Sequence, residues 1–123
     1  MITLAPSANH EEIKNLFREN GMWPGETAGC VIARTGDEVL GYSLYDLTSS
    51  SMTIRRIVPD DDLPLADGIL RSTLHVAVEH GVMKAFYCGQ SMAALAEKLD
   101  FIKNKNHESL NIDKLFQSCH GEG

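Results

Sequence analysis

The chain has 123 residues, 43% apolar and 23% charged, with a net charge of −6. This is the length of one domain and the balance of an ordinary globular protein, and its acidity argues against nucleic acid or an anionic membrane as the main partner. No apolar run approaches the ~18 residues of a membrane span, and Cys30, Cys88 and Cys119 are odd in number, scattered and without zinc-site spacing, which points to a reduced, cytoplasmic protein.

A short strand is expected over residues 2–4, ended by Pro6. Asn9 and Glu12 have the spacing of a capping box, and Ile13, Leu16 and Phe17 form the apolar face of a helix that stops at Asn20-Gly21. A loop over 22–26 carries Trp23, expected as a lid on the core, and leads to a strand over 29–34. Thr35-Gly36-Asp37 is a hairpin signal with residues 39–47 as the return strand, and a polar turn over 48–51 leads to a third strand over 52–58. These three strands read as antiparallel neighbours.

The period then changes. Ile69, Leu70, Leu74, Ala77 and Val78 recur at helical spacing, so a helix is expected over 65–80, with Asp62 as its cap, Pro64 in its first turn and Gly81 at its end. A short strand follows over 84–88. Ser91 is expected to cap another helix with Met92, Leu95 and Leu99 on its face. Phe101-Ile102 opens a strand whose partner is 108–111, and Leu115, Phe116 and Cys119 suggest a terminal helix over 112–120. A strand, a helix and an adjacent strand between Val58 and Cys88 imply a right-handed parallel crossover. The sum is a single α+β layered domain over 1–123, a mixed, mostly antiparallel sheet with helices on both faces.

The strand–turn–helix passage from Met52 to Gly81 is the architecture of an anion site, because the first amides of a helix lack internal partners and its dipole favours negative charge. Its turn, however, carries Asp60, Asp61 and Asp62 and no glycine. A carboxylate about 4 Å from another anion costs ~1 kcal/mol in water-like surroundings and ~4 at a partly buried site. The acids are expected to stabilise the helix start. The other reading is a turn that still accepts a nucleotide with the acids pointing outward.

Three passages carry a family resemblance. The hairpin return Asp37-Glu38-Val39-Leu40-Gly41-Tyr42, the strand over 54–59 running into a helix, and Ala96-Glu97-Lys98-Leu99-Asp100-Phe101 together resemble the GNAT acyltransferase superfamily over residues 2–112. Its members move an acyl group from coenzyme A to an amine. The resemblance implies acetyl-CoA or another acyl-CoA as cofactor and a small-molecule or peptide amine as substrate. It also implies that the strand amides at Ile57 and Val58 hold the pantetheine arm and that the helix start, with Leu65, Asp67, Gly68 and Ile69, faces the pyrophosphate. The chain departs from the family's pattern at the residues tied to chemistry. Asp62 stands where the signature has a basic or amide residue, Leu65 and Asp67 stand at its glycine positions, and Ala96 stands at the tyrosine that often serves as general acid.

With Ala96 unable to give a proton, Cys88 and Tyr87 are the remaining catalytic candidates, and alternation lets only one of them face the cleft. Tyr42 and Tyr45 lie on opposite faces of one strand, as do Arg55 and Arg56; His75 falls on a polar helix face, and Cys119-His120 reads as incidental rather than metal-binding. The leading expectation is an acyl-CoA-dependent N-acyltransferase. The alternative is a non-catalytic binding or assembly module that has lost coenzyme A binding. A homodimer is expected from the short loop over 22–27, which leaves a flank of the cleft uncovered, and from an apolar face carrying Leu115 and Phe116 that either crosses to a partner or folds back.

Overall fold

The computed structural model describes residues 1–104, 109–113 and 115. Among them, the strands β1 (Ile2–Pro6), β2 (Ala28–Thr35), β3 (Glu38–Leu47), β4 (Met52–Val58), β5 (Ala85–Tyr87), β6 (Ile102–Asn104) and β7 (Ser109–Leu110) form one seven-stranded sheet in the order β1-β2-β3-β4-β5-β7-β6. Every neighbouring pair is antiparallel except β4 and β5, which run parallel across the helix that joins them. The helices are α1 (His10–Glu19), α2 (Leu63–Glu79) and α3 (Gln90–Lys98).

Period-two alternation along β2 and β3 decides which helix lies on which face. Cys30, Ile32 and Leu44 bury against Ile13 and Phe17 of α1. Val31, Ala33 and Tyr45 point the other way and share a core with Ile69, Leu70 and Leu74 of α2 and with Met92, Leu95 and Ala96 of α3. Each such aliphatic side chain contributes about 1.5–3 kcal/mol when fully buried. The expected mixed, mostly antiparallel sheet with helices on both faces is therefore the fold observed.

Several local expectations are corrected. β1 continues through Pro6, because an edge strand tolerates a residue without an N–H. Asn9 Oδ1 caps α1 by accepting from the Glu11 and Glu12 amides, but the capping box does not close. The Glu12 carboxylate turns instead to the Ser7 hydroxyl at 2.7 Å and to Arg34 at 2.8 and 2.7 Å. Gly89, at φ +93°, rather than Ser91 takes the cap position of α3, and Ser91 lies inside the helix. Trp23 is 81% exposed, so it does not cover the core. Ile112 and Leu115 are buried in the same core as residues of α2 and α3, so Leu115 takes the fold-back alternative. Glu108, Phe116, Cys119 and His120, with most of the expected terminal helix, lie outside the described residues.

Candidate functional site

The site begins as a fault in β4. Tyr45 lies opposite Ile54 and Leu44 lies opposite Arg56, so Arg55 has no partner across from it: a β-bulge. Bulges bend a strand and increase its twist. On its other edge β4 pairs with β5 only from Met52↔Ala85 to Ile54↔Tyr87, and the bond from Cys88 N to Ile54 O, 3.2 Å, closes the ladder. Beyond it, that edge of residues 55–58 pairs with no strand among the described residues. The bulge is held by Arg55, whose Nη1 donates to Asp46 Oδ2 at 3.0 Å, while Thr27 Oγ1 donates to the other oxygen of the same carboxylate at 2.9 Å. Arg56 is exposed.

The two catalytic candidates part at this edge. Tyr87 is 5% exposed and belongs to the core, whereas Cys88 is exposed, one residue past the last paired position. Of the other two tyrosines, one is hydrogen-bonded elsewhere and one is buried. Tyr42 Oη accepts from Asn20 Nδ2 at 2.9 Å at the end of α1. Burial, with a smaller contribution from Cys30, pushes Tyr45 up to about 12. Burial, followed by the charge of Glu12, pushes the Cys30 thiol up to about 11. Ala96 is fully buried and His75 is exposed.

Only two of the cofactor candidates turn their side chains fully inward. Ile57 and Ile69 are buried in the core, and Val58, Leu65 and Gly68 are half-buried. What residues 57 and 58 present is backbone. Gly41 sets the end of this strand: a Cβ there would strike Val58 O, approach Pro59 Cδ to 2.8 Å and Ile69 Cδ1 to 3.0 Å, so β3 lies against the β4 terminus only because position 41 is bare. An isolated glycine within a strand pattern signals such an approach. The bulge at Arg55 had no comparable signal.

The start of α2 is already occupied. Asp62 is its N-cap, as expected, and Oδ1 accepts from the Leu65 amide at 3.2 Å. Pro64, next in the opening turn, has no N–H to offer. Two of the three amide positions that open the helix are thus closed to an external anion. Asp67 pairs with Arg71 at 2.8 Å, and that guanidinium lies 5.2 Å from the centroid of the Phe101 ring. Asp60 and Asp61 line a cleft of about 330 Å³ facing Ser91, Ala94, Leu95 and Lys98 of α3.

No protein-family model matches the sequence, and no curated protein matches it either. Solved structures do. A GNAT-family acetyltransferase from Streptococcus pneumoniae aligns at TM-score 0.56 and 14% identity, covering 83% of this chain and 88% of that one. A GNAT-family acetyltransferase from Elizabethkingia anophelis with acetyl-CoA bound aligns at 0.54 and 12%, covering 80% and 72%. A mutant of the toxin AtaT bound to the C-terminus of the antitoxin AtaR aligns at 0.59 and 14%, covering 100% and 99%. At such identities the likeness speaks for architecture, and the chain has the fold of the GNAT acyltransferase superfamily.

Proposed function

We propose that the chain is an acyl-CoA-dependent N-acyltransferase that grips its donor by the acyl-pantetheine arm and draws little from the diphosphate. The observation that carries this reading is the open edge of β4 over residues 55–58, which leaves main-chain donors and acceptors beside an extended ligand in the manner of strand addition. The acceptor is the amine of a small molecule or peptide. Its nitrogen attacks the thioester carbonyl, the C–N bond forms, the C–S bond breaks, and the proton leaving nitrogen reaches the departing thiolate through water. Cys88 is an exposed thiol at the lip of this edge and is the candidate to relay that proton. Tyr87, in the core, has a structural role. General acid–base help is typically worth 10²–10⁴ in rate, so an enzyme without the tyrosine acid, with Ala96 in its place, is slow.

The test is acyl transfer from acetyl-CoA to a panel of amines by the parent, Cys88→Ala and Tyr87→Phe. Slow transfer, reduced further by Cys88→Ala and retained in Tyr87→Phe, is expected. A brisk rate untouched by either substitution contradicts the assignment.

A second reading has its own support. Asp62 and Pro64 close the helix amides, and Asp60 and Asp61 add negative charge next to them. This favours a GNAT-fold binding module without coenzyme A, and a structural relative seated on an antitoxin segment is consistent with a protein partner. Absence of transfer from any acyl-CoA, together with absence of a thermal shift, selects this reading.

A further inference from the structure

A second concavity lies where β1 meets the beginning of α2. It is a groove of about 730 Å³ walled by Ile2 and Leu4 of β1, Leu40 of β3 and Leu65 of α2, with Asp61 and Asp62 on its rim. Ile2 and Leu4 are 53% and 37% exposed, an unusual amount of apolar surface for two residues on the same face of one strand. The groove stays open because Gly68 has no side chain to fill it; a Cβ there would already touch Leu4 Cδ1 at 3.4 Å. β1 is also the terminal strand of the sheet, so one of its edges has no strand partner among the described residues.

These features favour one occupant. No basic residue among the described ones lines the groove. Neither Asp61 nor Asp62 makes an ion pair with a described residue; the acidic partners in such pairs are Glu12, Asp46 and Asp67. A second copy of the chain seated about a twofold axis brings two more carboxylates to the same rim, where like charges repel. A cationic segment meets them with opposite charge. A free strand edge beside an apolar groove adds main-chain pairing on one side and pockets for alternate side chains on the other. Pro6, lacking an N–H, ends the usable edge after Ala5.

We propose that the groove between β1 and the start of α2 is a docking site for an extended peptide segment whose alternate residues are apolar and whose end nearest Asp61 and Asp62 is basic. The segment adds as a strand to the free edge of β1 and lays its apolar side chains over Ile2 and Leu4, at the mouth of the groove. This site does not use the β4 edge, although it shares Leu65 and Gly68 with the helix start that the resemblance assigns to the cofactor.

The test uses the full chain and a capped, fluorescein-labelled hexapeptide of alternating leucine and threonine ended by two lysines, read by fluorescence polarisation. The proposal expects saturable binding that weakens by about tenfold for Ile2→Asp, weakens measurably for the surface change Asp61→Asn, and fades as salt is raised. It expects no binding of the same peptide with glutamates in place of the lysines, or with alternate backbone nitrogens methylated to block strand pairing. Asp61→Asn keeps the outcome decisive even where Ile2→Asp perturbs β1. Equal binding of the lysine and glutamate peptides, no saturable binding of the lysine peptide, or insensitivity to both substitutions overturns the proposal. So does sedimentation showing a dimer that Ile2→Asp dissolves, which assigns the groove to a second copy.

Discussion

Ser43 of β3 and Thr73 of α2 share a hydrogen bond of 2.6 Å, and both side chains are completely buried. Thr73 Oγ1 donates to Ile69 O at 2.7 Å, which leaves Ser43 to donate to Thr73 while its own oxygen accepts from Val31 N at 3.4 Å. The polar chain thus runs from β2 through β3 into α2 with both hydroxyls satisfied, and it fixes the helix over these two strands.

Thr73→Val leaves the Ser43 hydroxyl proton buried without an acceptor. The expected cost is about 1–3 kcal/mol, whereas the double change Ser43→Ala with Thr73→Val recovers part of it because both partners are gone. Urea denaturation of the three variants against the parent measures the difference.

Gly41→Ala places a methyl group against Val58 O and Pro59. Overpacking of this kind costs about 1–3 kcal/mol. The end of β4 must move to relieve it, so the loss of stability is expected to come with weakened binding of acyl-pantetheine. Denaturation midpoints and ligand titration on the same sample check both.

Stability is expected to fall at both ends of the pH scale. Arg34 and then Ser7 hold Glu12 below its ordinary value of 4.5, so its contribution is present above that value and is lost as pH falls through the lower folded value. Cys30 and Tyr45 are raised, from 9.0 to about 11 and from 10.0 to about 12. Their contributions are complete below pH 9 and are lost as pH rises through the folded values. Thermal melts between pH 3 and 11 are expected to show both limbs, with Glu12→Gln flattening the acid limb and Cys30→Ala delaying the alkaline one.

Asp62→Arg removes the cap from the Leu65 amide and brings a cation to the turn. It is expected to cost about 1 kcal/mol of stability as a lost N-cap. It is also expected to tighten acetyl-CoA binding, since the freed amide and the guanidinium each offer a charge-assisted bond to phosphate. Calorimetric titration that finds parent and variant equal sets this account of the turn aside.

Much of the scaffold was legible because it rests on periodicity. The strand over 29–34, bounded by a hairpin signal, and the helical spacing of Ile69, Leu70 and Leu74 were readable without tertiary information, and all of Cys30, Val31, Ile32, Ala33, Ile69, Leu70 and Leu74 are buried. The cap at Asp62 was legible because capping is local chemistry. Glu12 was misassigned because its partner, Arg34, is 22 residues away and outcompetes the local box. Gly89 displaced Ser91 as a cap through a backbone angle that residue type alone does not specify. The bulge at Arg55 is a property of register between β3 and β4, so the opening of the strand edge, and with it the lip at Cys88, was inferred only by resemblance. The groove above Gly68 depends on β1 lying beside α2, which no single segment encodes.

The most direct test of the central claim is calorimetric titration of the parent chain with acetyl-CoA and with S-acetylpantetheine, which lacks the nucleotide and the diphosphate. A cradle that supplied two charge-assisted bonds to phosphate would add about 3–6 kcal/mol, or roughly 10²–10⁴ in affinity. With Leu65 capped by Asp62 and Pro64 without a donor, the two ligands are expected to bind with affinities within about threefold of each other. Acetyl-CoA binding a hundredfold or more tighter than S-acetylpantetheine would contradict the account.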